Sequence, residues 1–246
     1  MKLDAAGMRK FWDGLHRTYA PEYAALPSAA TTGLGVGFTR PDARTLYYML
    51  RALRPRRYVE VGSGVSTYYA TLARDANRRE GLTETEIICV EPYPGPGLAA
   101  LPGVAIHPVA AQDIPLALFE SLRDGDVLFI DSSHSAKIDS DVTFLVLEVL
   151  PRLRAGVYVH IHDIPFPYNF PHPADLYIFG RTWPMLWNEP IVVQAFLAFN
   201  DAFDVVLSLP YLHHLDPDGI ASTIPDRGSE TRYDNVIGSL WLRRVR

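Results

Sequence analysis

The 246-residue chain has a single cysteine, Cys89, so no disulfide can form within it. That cysteine lies inside an apolar run, where it reads as a small buried residue in a reducing compartment. Positive charge is not in excess. The formal net charge is -5 and no basic stripe stands out, which argues against general affinity for nucleic acid. The arginines between Arg54 and Arg57 and between Arg243 and Arg246 read as solvated flanks of a strand and a terminus. No apolar run approaches the ~18 residues needed to span a bilayer, and residues 1–10 lack the apolar core of a signal peptide. Internal repeats and low-complexity tracts are absent too. These absences predict a cytoplasmic protein with neither a membrane nor a nucleic-acid partner. The length fits a single α/β domain, 1–246, with a large core.

What the chain does have is an alternation of apolar runs with helical spacing. A helix is expected over 8–25, a Gly-rich loop from Pro27 to Pro41 and a helix over Asp42–Leu53, making 1–55 a helical and loop cap. A strand beginning at Tyr58 follows, then a helix over Thr67–Arg79 and strands at 86–91 and 104–109. A helix over Leu116–Leu122, a strand over Asp126–Asp131, an amphipathic helix over Asp141–Leu153 and a strand over Gly156–Asp163 continue the series. The carboxyl-terminal part reads as a helix at Pro190–Asn200 and strands at 203–209 and 236–243. The order implies a mostly parallel sheet with helices on both faces and ligands at the carboxyl ends of its strands.

Those ends collect polar groups. Strand one ends at Glu60, Gly62 and Gly64, where glycines let the backbone turn sharply and approach a ligand. Strand two ends at Glu91, placed to accept hydrogen bonds from two ribose hydroxyls. The pair points to a nucleoside cofactor, although Thr67 stands where a dinucleotide fingerprint has its third glycine. Strand four ends at Asp131, followed by His134, and strand five at His162 and Asp163. Unpaired carboxylates are too costly for a plain core, so one edge carrying four acids and a histidine reads as a site. His160 and His162 are two apart on one strand and share a face. His160 reads as a packed strand histidine, with a His-x-His ligand pair as the alternative.

The segments Val59-Glu-Val-Gly-Ser-Gly-Val-Ser-Thr67, Val127-Leu-Phe-Ile-Asp-Ser-Ser-His134, Gly156-Val-Tyr-Val-His-Ile-His-Asp163 and Trp187-Asn-Glu-Pro-Ile-Val-Val-Gln-Ala-Phe-Leu-Ala-Phe-Asn200 resemble the class I S-adenosylmethionine-dependent methyltransferases. Within these, the chain is similar to a metal-assisted branch that includes macrolide-sugar O-methyltransferases and a cephalosporin-biosynthesis relative. The resemblance implies a Rossmann-like, seven-stranded, mostly parallel sheet whose last strand is antiparallel. It also implies that Glu60, Gly62, Ser63 and Gly64 contact the methionine part of S-adenosyl-L-methionine, Glu91 its ribose, and Gln112 and Asp113 its adenine. A divalent metal is expected on Asp131 and on an acidic pair matched here by His162 and Asp163. With imidazole in place of a third carboxylate, the set suits Mn²⁺, Fe²⁺, Co²⁺ or Ni²⁺ better than Mg²⁺.

By the same resemblance His134 is the general base that deprotonates a substrate hydroxyl. A capping or surface histidine is the alternative. The Pro- and aromatic-rich stretch 164–189 reads as a lid over a hydroxylated small-molecule acceptor of secondary metabolism, or as a contact in a homo-oligomer. His213 and His214 read as loop residues without a role. The function expected is a metal-assisted O-methyltransferase. Its rival is an iron-dependent oxidative enzyme using Asp131, His162 and Asp163.

Overall fold

The computed structural model describes residues 3–35, 37–168, 187–224 and 237–246. Helix α1 (Ala5–Ala24) begins where the Asp4 carboxylate caps Gly7 N, and α2 (Arg40–Leu53) where the Thr39 hydroxyl caps Asp42 N. Then come β1 (Arg57–Val61), α3 (Val65–Arg79), β2 (Glu86–Val90), α4 (Pro96–Ala99), β3 (Val104–His107), α5 (Ala117–Glu120) and β4 (Val127–Ile130). The chain continues through α6 (Asp141–Phe144), β5 (Tyr158–Ile161), α7 (Glu189–Leu197), β6 (Phe203–Ser208), α8 (Leu209–Leu215), α9 (Pro217–Ser222) and β7 (Leu240–Arg244).

The seven strands form one sheet in the order β3-β2-β1-β4-β5-β7-β6. Pairings from β3 through β5 are parallel, and β7 runs antiparallel to both β5 and β6. This is the expected Rossmann-like architecture with its reversed last strand. The order turns outward in both directions from β1 and β4, and the crevice between their carboxyl ends is where such sheets bind ligands. Period-two alternation sends Val59, Val61, Leu128, Ile130, Val159 and Ile161 into one core, packed against residues 142–153 and α7. Tyr58, Phe129 and Trp241 enter the other, packed against α1, α2, α3 and α8.

Three expectations need amendment. The helix expected over 141–153 is α6 followed by a π-helical turn, Leu145–Val149, and a 3-10 turn, Leu150–Arg152. Pro151 has no N–H for an α-helical bond, and its ring crowds the carbonyl four residues back, so the last turns change pitch. His213 and His214 lie in α8, which starts where Ser208 Oγ accepts from Tyr211 N at 3.3 Å. At the start of the expected lid, Ile164 and Phe166 are fully buried members of the core; residues 169–186, including Tyr177 and Trp183, lie outside the described residues.

Candidate active site

A cleft of about 420 Å³ opens at the carboxyl ends of the central strands, lined by Gly62, Glu91, Gln112, Asp131, Ser132 and Lys137 among others. Gly62 holds a left-handed φ of 79°, and a Cβ there would fall 1.8 Å from the carbonyl oxygen of Asp131. Only glycine lets the β1 turn rest against the end of β4. Ser63 N donates to Glu91 Oε2 at 3.2 Å and Tyr93 N to Oε1 at 2.8 Å, so the carboxylate is fixed beside the glycine turn. Gln112 Nε2 donates to the Asp139 carbonyl at 2.9 Å, while its Oε1 is buried without a partner among the described residues. That orphaned acceptor suits a ligand donor such as the amino group of adenine.

The other proposed cofactor contacts fall elsewhere. Ser63 and Gly64 follow Gly62 but do not line the cleft; Gly64 starts α3, its N–H donating to Thr67 Oγ1 at 3.0 Å. Asp113 is exposed and does not line it either. Glu60 is the clearest departure. It is completely buried, and its carboxylate accepts from Thr67 Oγ1 at 2.5 Å and Tyr58 OH at 3.2 Å, behind the glycine turn. Burial, the dominant influence, raises its pKa to about 7 against the pull of those hydroxyls. Strand alternation explains the placement: Glu60 shares the face of Tyr58 and points under α3.

Asp131, on the cleft wall beside Gly62, joins His162 and Asp163 in offering ligand atoms that all lie within 4.8 Å of one another. His162 Nδ1 is 3.1 Å from Asp131 Oδ1 and 3.6 Å from Asp163 Oδ2. The donor set fits a divalent first-row cation: two carboxylates with an imidazole nitrogen, one of the carboxylates on the cleft wall. Burial would lower the pKa of His162, but the charges of Asp131 and Asp163 outweigh it and hold the pKa well above its ordinary value. Burial likewise raises Asp163, whereas His162 and then His134 overcome it at Asp131 and hold that pKa far down. His160 is not part of this group. It stacks on Trp241 at 4.3 Å, bonds Ser239 Oγ through Nε2 at 3.0 Å, and is kept neutral by burial.

His134 lies on the same rim. Its Nε2 is 3.2 Å from Asp131 Oδ1 and 3.8 Å from Asp163 Oδ2, and its Nδ1 is 2.7 Å from Glu189 Oε2. Burial pulls its pKa down, but the bonds to Asp131 and Glu189 prevail and bring it to about 10. Trp187 covers the ring at 4.3 Å. Both His134 (φ 55) and Asp163 (φ 56) adopt left-handed backbone, a conformation that costs a non-glycine residue on the order of 1 kcal/mol. The surroundings enforce it. The His134 carbonyl accepts from Asn188 N at 3.1 Å and Glu189 N at 3.2 Å, and Gly238 packs so tightly that a Cβ there would fall 2.8 Å from the Asp163 backbone.

Two site residues escape sequence reasoning, Asp42 and Glu189, each at most 1% exposed. Asp42 reads as an acid in the first turn of a helix, and nothing local marks it as a partner of His162, 120 residues away. Glu189 had a signal, its place inside the Trp187–Asn200 motif, but before Pro190 it too reads as a helix start.

Residues 59–164 match a family model described as a methyltransferase domain. An uncharacterised protein of Archaeoglobus fulgidus is 31% identical over 91 residues, which is 35% of this chain and 40% of that protein, so the chain spans well under half of the curated relative it matches. Among solved structures the chain is similar to SAH-bound PaMTH1, a methyltransferase of Podospora anserina, at 15% identity and a TM-score of 0.47, covering 100% of this chain and 89% of that one. It is also similar to an O-methyltransferase from Bacillus cereus in complex with SAH, at 13% identity and a TM-score of 0.47, covering 100% and 93%. The stretch that matches the methyltransferase-domain model, residues 59–164, runs from within β1 past the end of β5 of the seven-stranded Rossmann-like sheet.

Proposed function

We propose that this chain, with its methyltransferase domain over residues 59–164, is an S-adenosylmethionine-dependent O-methyltransferase assisted by a divalent metal and acting on a hydroxylated small molecule of secondary metabolism. The observation that supports the reading is the meeting of Gly62 with the backbone of Asp131, which puts the cleft lined by Glu91 and Gln112 beside three side chains that could hold a metal. When bound, the cofactor supplies an activated methyl group, and a divalent cation lowers the pKa of an acceptor hydroxyl while taking up the charge of the carboxylates beside His134.

The chain's own groups do the rest. Glu91 presents two carboxylate oxygens to ribose hydroxyls, and Gln112 Oε1 an acceptor to the adenine amino group. Asp131, His162 and Asp163 hold the cation, with the imidazole favouring Mn²⁺ or Fe²⁺ over Mg²⁺. Glu189 fixes Nδ1–H of His134, so Nε2 is the atom that faces Asp131 and Asp163 and accepts the hydroxyl proton. Trp187 shields that imidazole from water. Among the described residues no helix is long and apolar enough to cross a membrane.

The test is calorimetric titration with S-adenosylmethionine and SAH, followed by transfer of labelled methyl to a panel of phenol, sugar and macrolide acceptors with and without a chelator. Absence of cofactor binding at millimolar concentration would refute the reading. The same imidazole-and-two-carboxylate set also favours a second reading, iron-dependent oxidation. Acceptor-dependent O₂ uptake with Fe²⁺, in place of methyl transfer, would select it.

A further inference from the structure

A buried relay behind the metal ligands has no part in the scheme above. Asp42, in the first turn of α2, lies wholly inside the protein, and among the described residues each polar group bonded to its carboxylate can donate. Thr39 Oγ1 reaches Oδ2 at 2.9 Å and Gly238 N at 3.0 Å; Ser239 Oγ reaches Oδ1 at 2.8 Å. The remaining neighbour is His162 Nε2, 3.0 Å from Oδ2. A carboxylate only accepts, so Nε2 must carry the hydrogen of that bond. In the neutral ring a metal requires, the lone pair then falls on Nδ1, the nitrogen that faces Asp131 and Asp163 at 3.1 and 3.6 Å.

We propose that Asp42 is a positioning residue for the metal centre: it fixes the Nε2–H tautomer and ring orientation of His162, so that Nδ1 is presented to the cation. Carboxylates that orient a ligating histidine typically govern 10- to 100-fold in metal affinity. The arrangement draws on three separated stretches of chain. Thr39 and Asp42 come from the start of α2, Gly238 and Ser239 from the approach to β7, and His162 from the end of β5. Ser239 Oγ also meets His160 Nε2 at 3.0 Å, so the neighbouring histidine is held in the matching tautomer by the same carboxylate, one hydroxyl further away. His160 thereby serves the relay and not the cation.

The proposal rests on the metal-site reading, and the experiment separates the two. Binding of Mn²⁺ and Co²⁺ is measured by calorimetry, and for Co²⁺ by its visible absorption, in the parent, Asp42→Asn and Ser239→Ala; SAH binding and thermal unfolding are followed in each. Asparagine keeps the size but brings an amide donor among the donors. The expected result is a 10- to 100-fold loss of metal affinity in Asp42→Asn with SAH affinity within about threefold of the parent. In Ser239→Ala, where the carboxylate still meets His162, metal affinity should stay within about threefold. Nitrogen-15 spectra of the metal-bound parent should show His162 protonated at Nε2 and bare at Nδ1, which decides the matter even if Asp42→Asn does not fold. Equal metal affinity in parent and Asp42→Asn, or a hydrogen on Nδ1 in the metal-bound parent, overturns the positioning role alone. A parent that binds neither ion overturns the metal site along with it.

Discussion

On one face of the sheet the central strands present Val59, Val61, Leu128, Ile130, Val159 and Ile161; on the other the same strands present Tyr58, Glu60, Phe129, His160 and His162. The first face is aliphatic, and burial alone organises it. The second is aromatic and polar, and its acids and imidazoles are held by directional bonds: Glu60 by hydroxyls of Thr67 and Tyr58, His160 Nε2 by Ser239, His162 by Asp42 and Asp131, while His160 Nδ1 and Trp241 Nε1 have no partner among the described residues. The difference teaches where chemistry can be mounted on such a sheet. Non-directional packing fills one side, while the other holds titratable groups by directional bonds that carry through to the rim.

The rim is where this division should break most sharply. His134→Ala is expected to lower methyl transfer by roughly 10² to 10⁴ while SAH and metal affinity stay near the parent's. Single-turnover kinetics beside calorimetry makes the check, and stoichiometric loss of metal in the variant would instead make His134 a ligand. The aliphatic face should respond the opposite way. Leu128 is fully buried in mid-sheet, and Leu128→Ala should cost about 2 to 5 kcal/mol of stability, read from denaturant unfolding. Metal and SAH affinity should be unchanged below the transition; an affinity loss in the folded variant would show that the two faces are coupled.

How far each face was legible in the sequence follows from the same division. Apolar runs such as Val127–Ile130 mark strands whatever side they bury, so all seven strands can be read before their arrangement is known. The cluster proposed to hold a metal is legible because Asp131, His162 and Asp163 sit at strand ends, where a polar residue interrupts an apolar run. Asp42 and Glu189 are not, because each enters from a helix start and meets its partner 120 or 55 residues away. Glu60 was misread for a related reason: its position at a strand end is visible, but the side to which it points depends on strand register. Short α8 and α9, of 7 and 6 residues, hold too few turns for a helical period to show.

Glu60 offers a pH test of the polar face. In the folded chain its carboxyl keeps the proton up to about pH 7, whereas its ordinary pKa is 4.5. Between those values the folded chain binds more protons than the unfolded one, so stability falls as pH rises from about 4.5 to about 7 and stays lower above. Glu60→Gln removes the charge that must be buried. It should be more stable than the parent by on the order of 3 kcal/mol at pH 8, with little or none of that gain at pH 4.5. Unfolding curves at the two pH values decide it, and a pH-independent difference would mean that Glu60 titrates alike in the folded and unfolded chain, with its pKa not raised by burial.

Glu91 belongs to neither face, and the smallest effect is expected there. Its carboxylate ends β2 beyond the sheet, partly exposed, and is held by the backbone N–H groups of Ser63 and Tyr93. Because those two donors remain in Glu91→Ala and can turn to water, the fold should lose little. The ribose hydroxyls lose a charged acceptor, which should cost about 1.5 to 3 kcal/mol of S-adenosylmethionine binding. Glu91→Gln separates charge from shape: its carbonyl oxygen can still accept from one hydroxyl, so its loss should fall between those of alanine and the parent. Calorimetric titration of the three proteins at one ionic strength makes the comparison. If Glu91→Ala binds the cofactor as tightly as the parent, the nucleoside lies elsewhere in the cleft, and Gln112 Oε1 becomes the next group to remove.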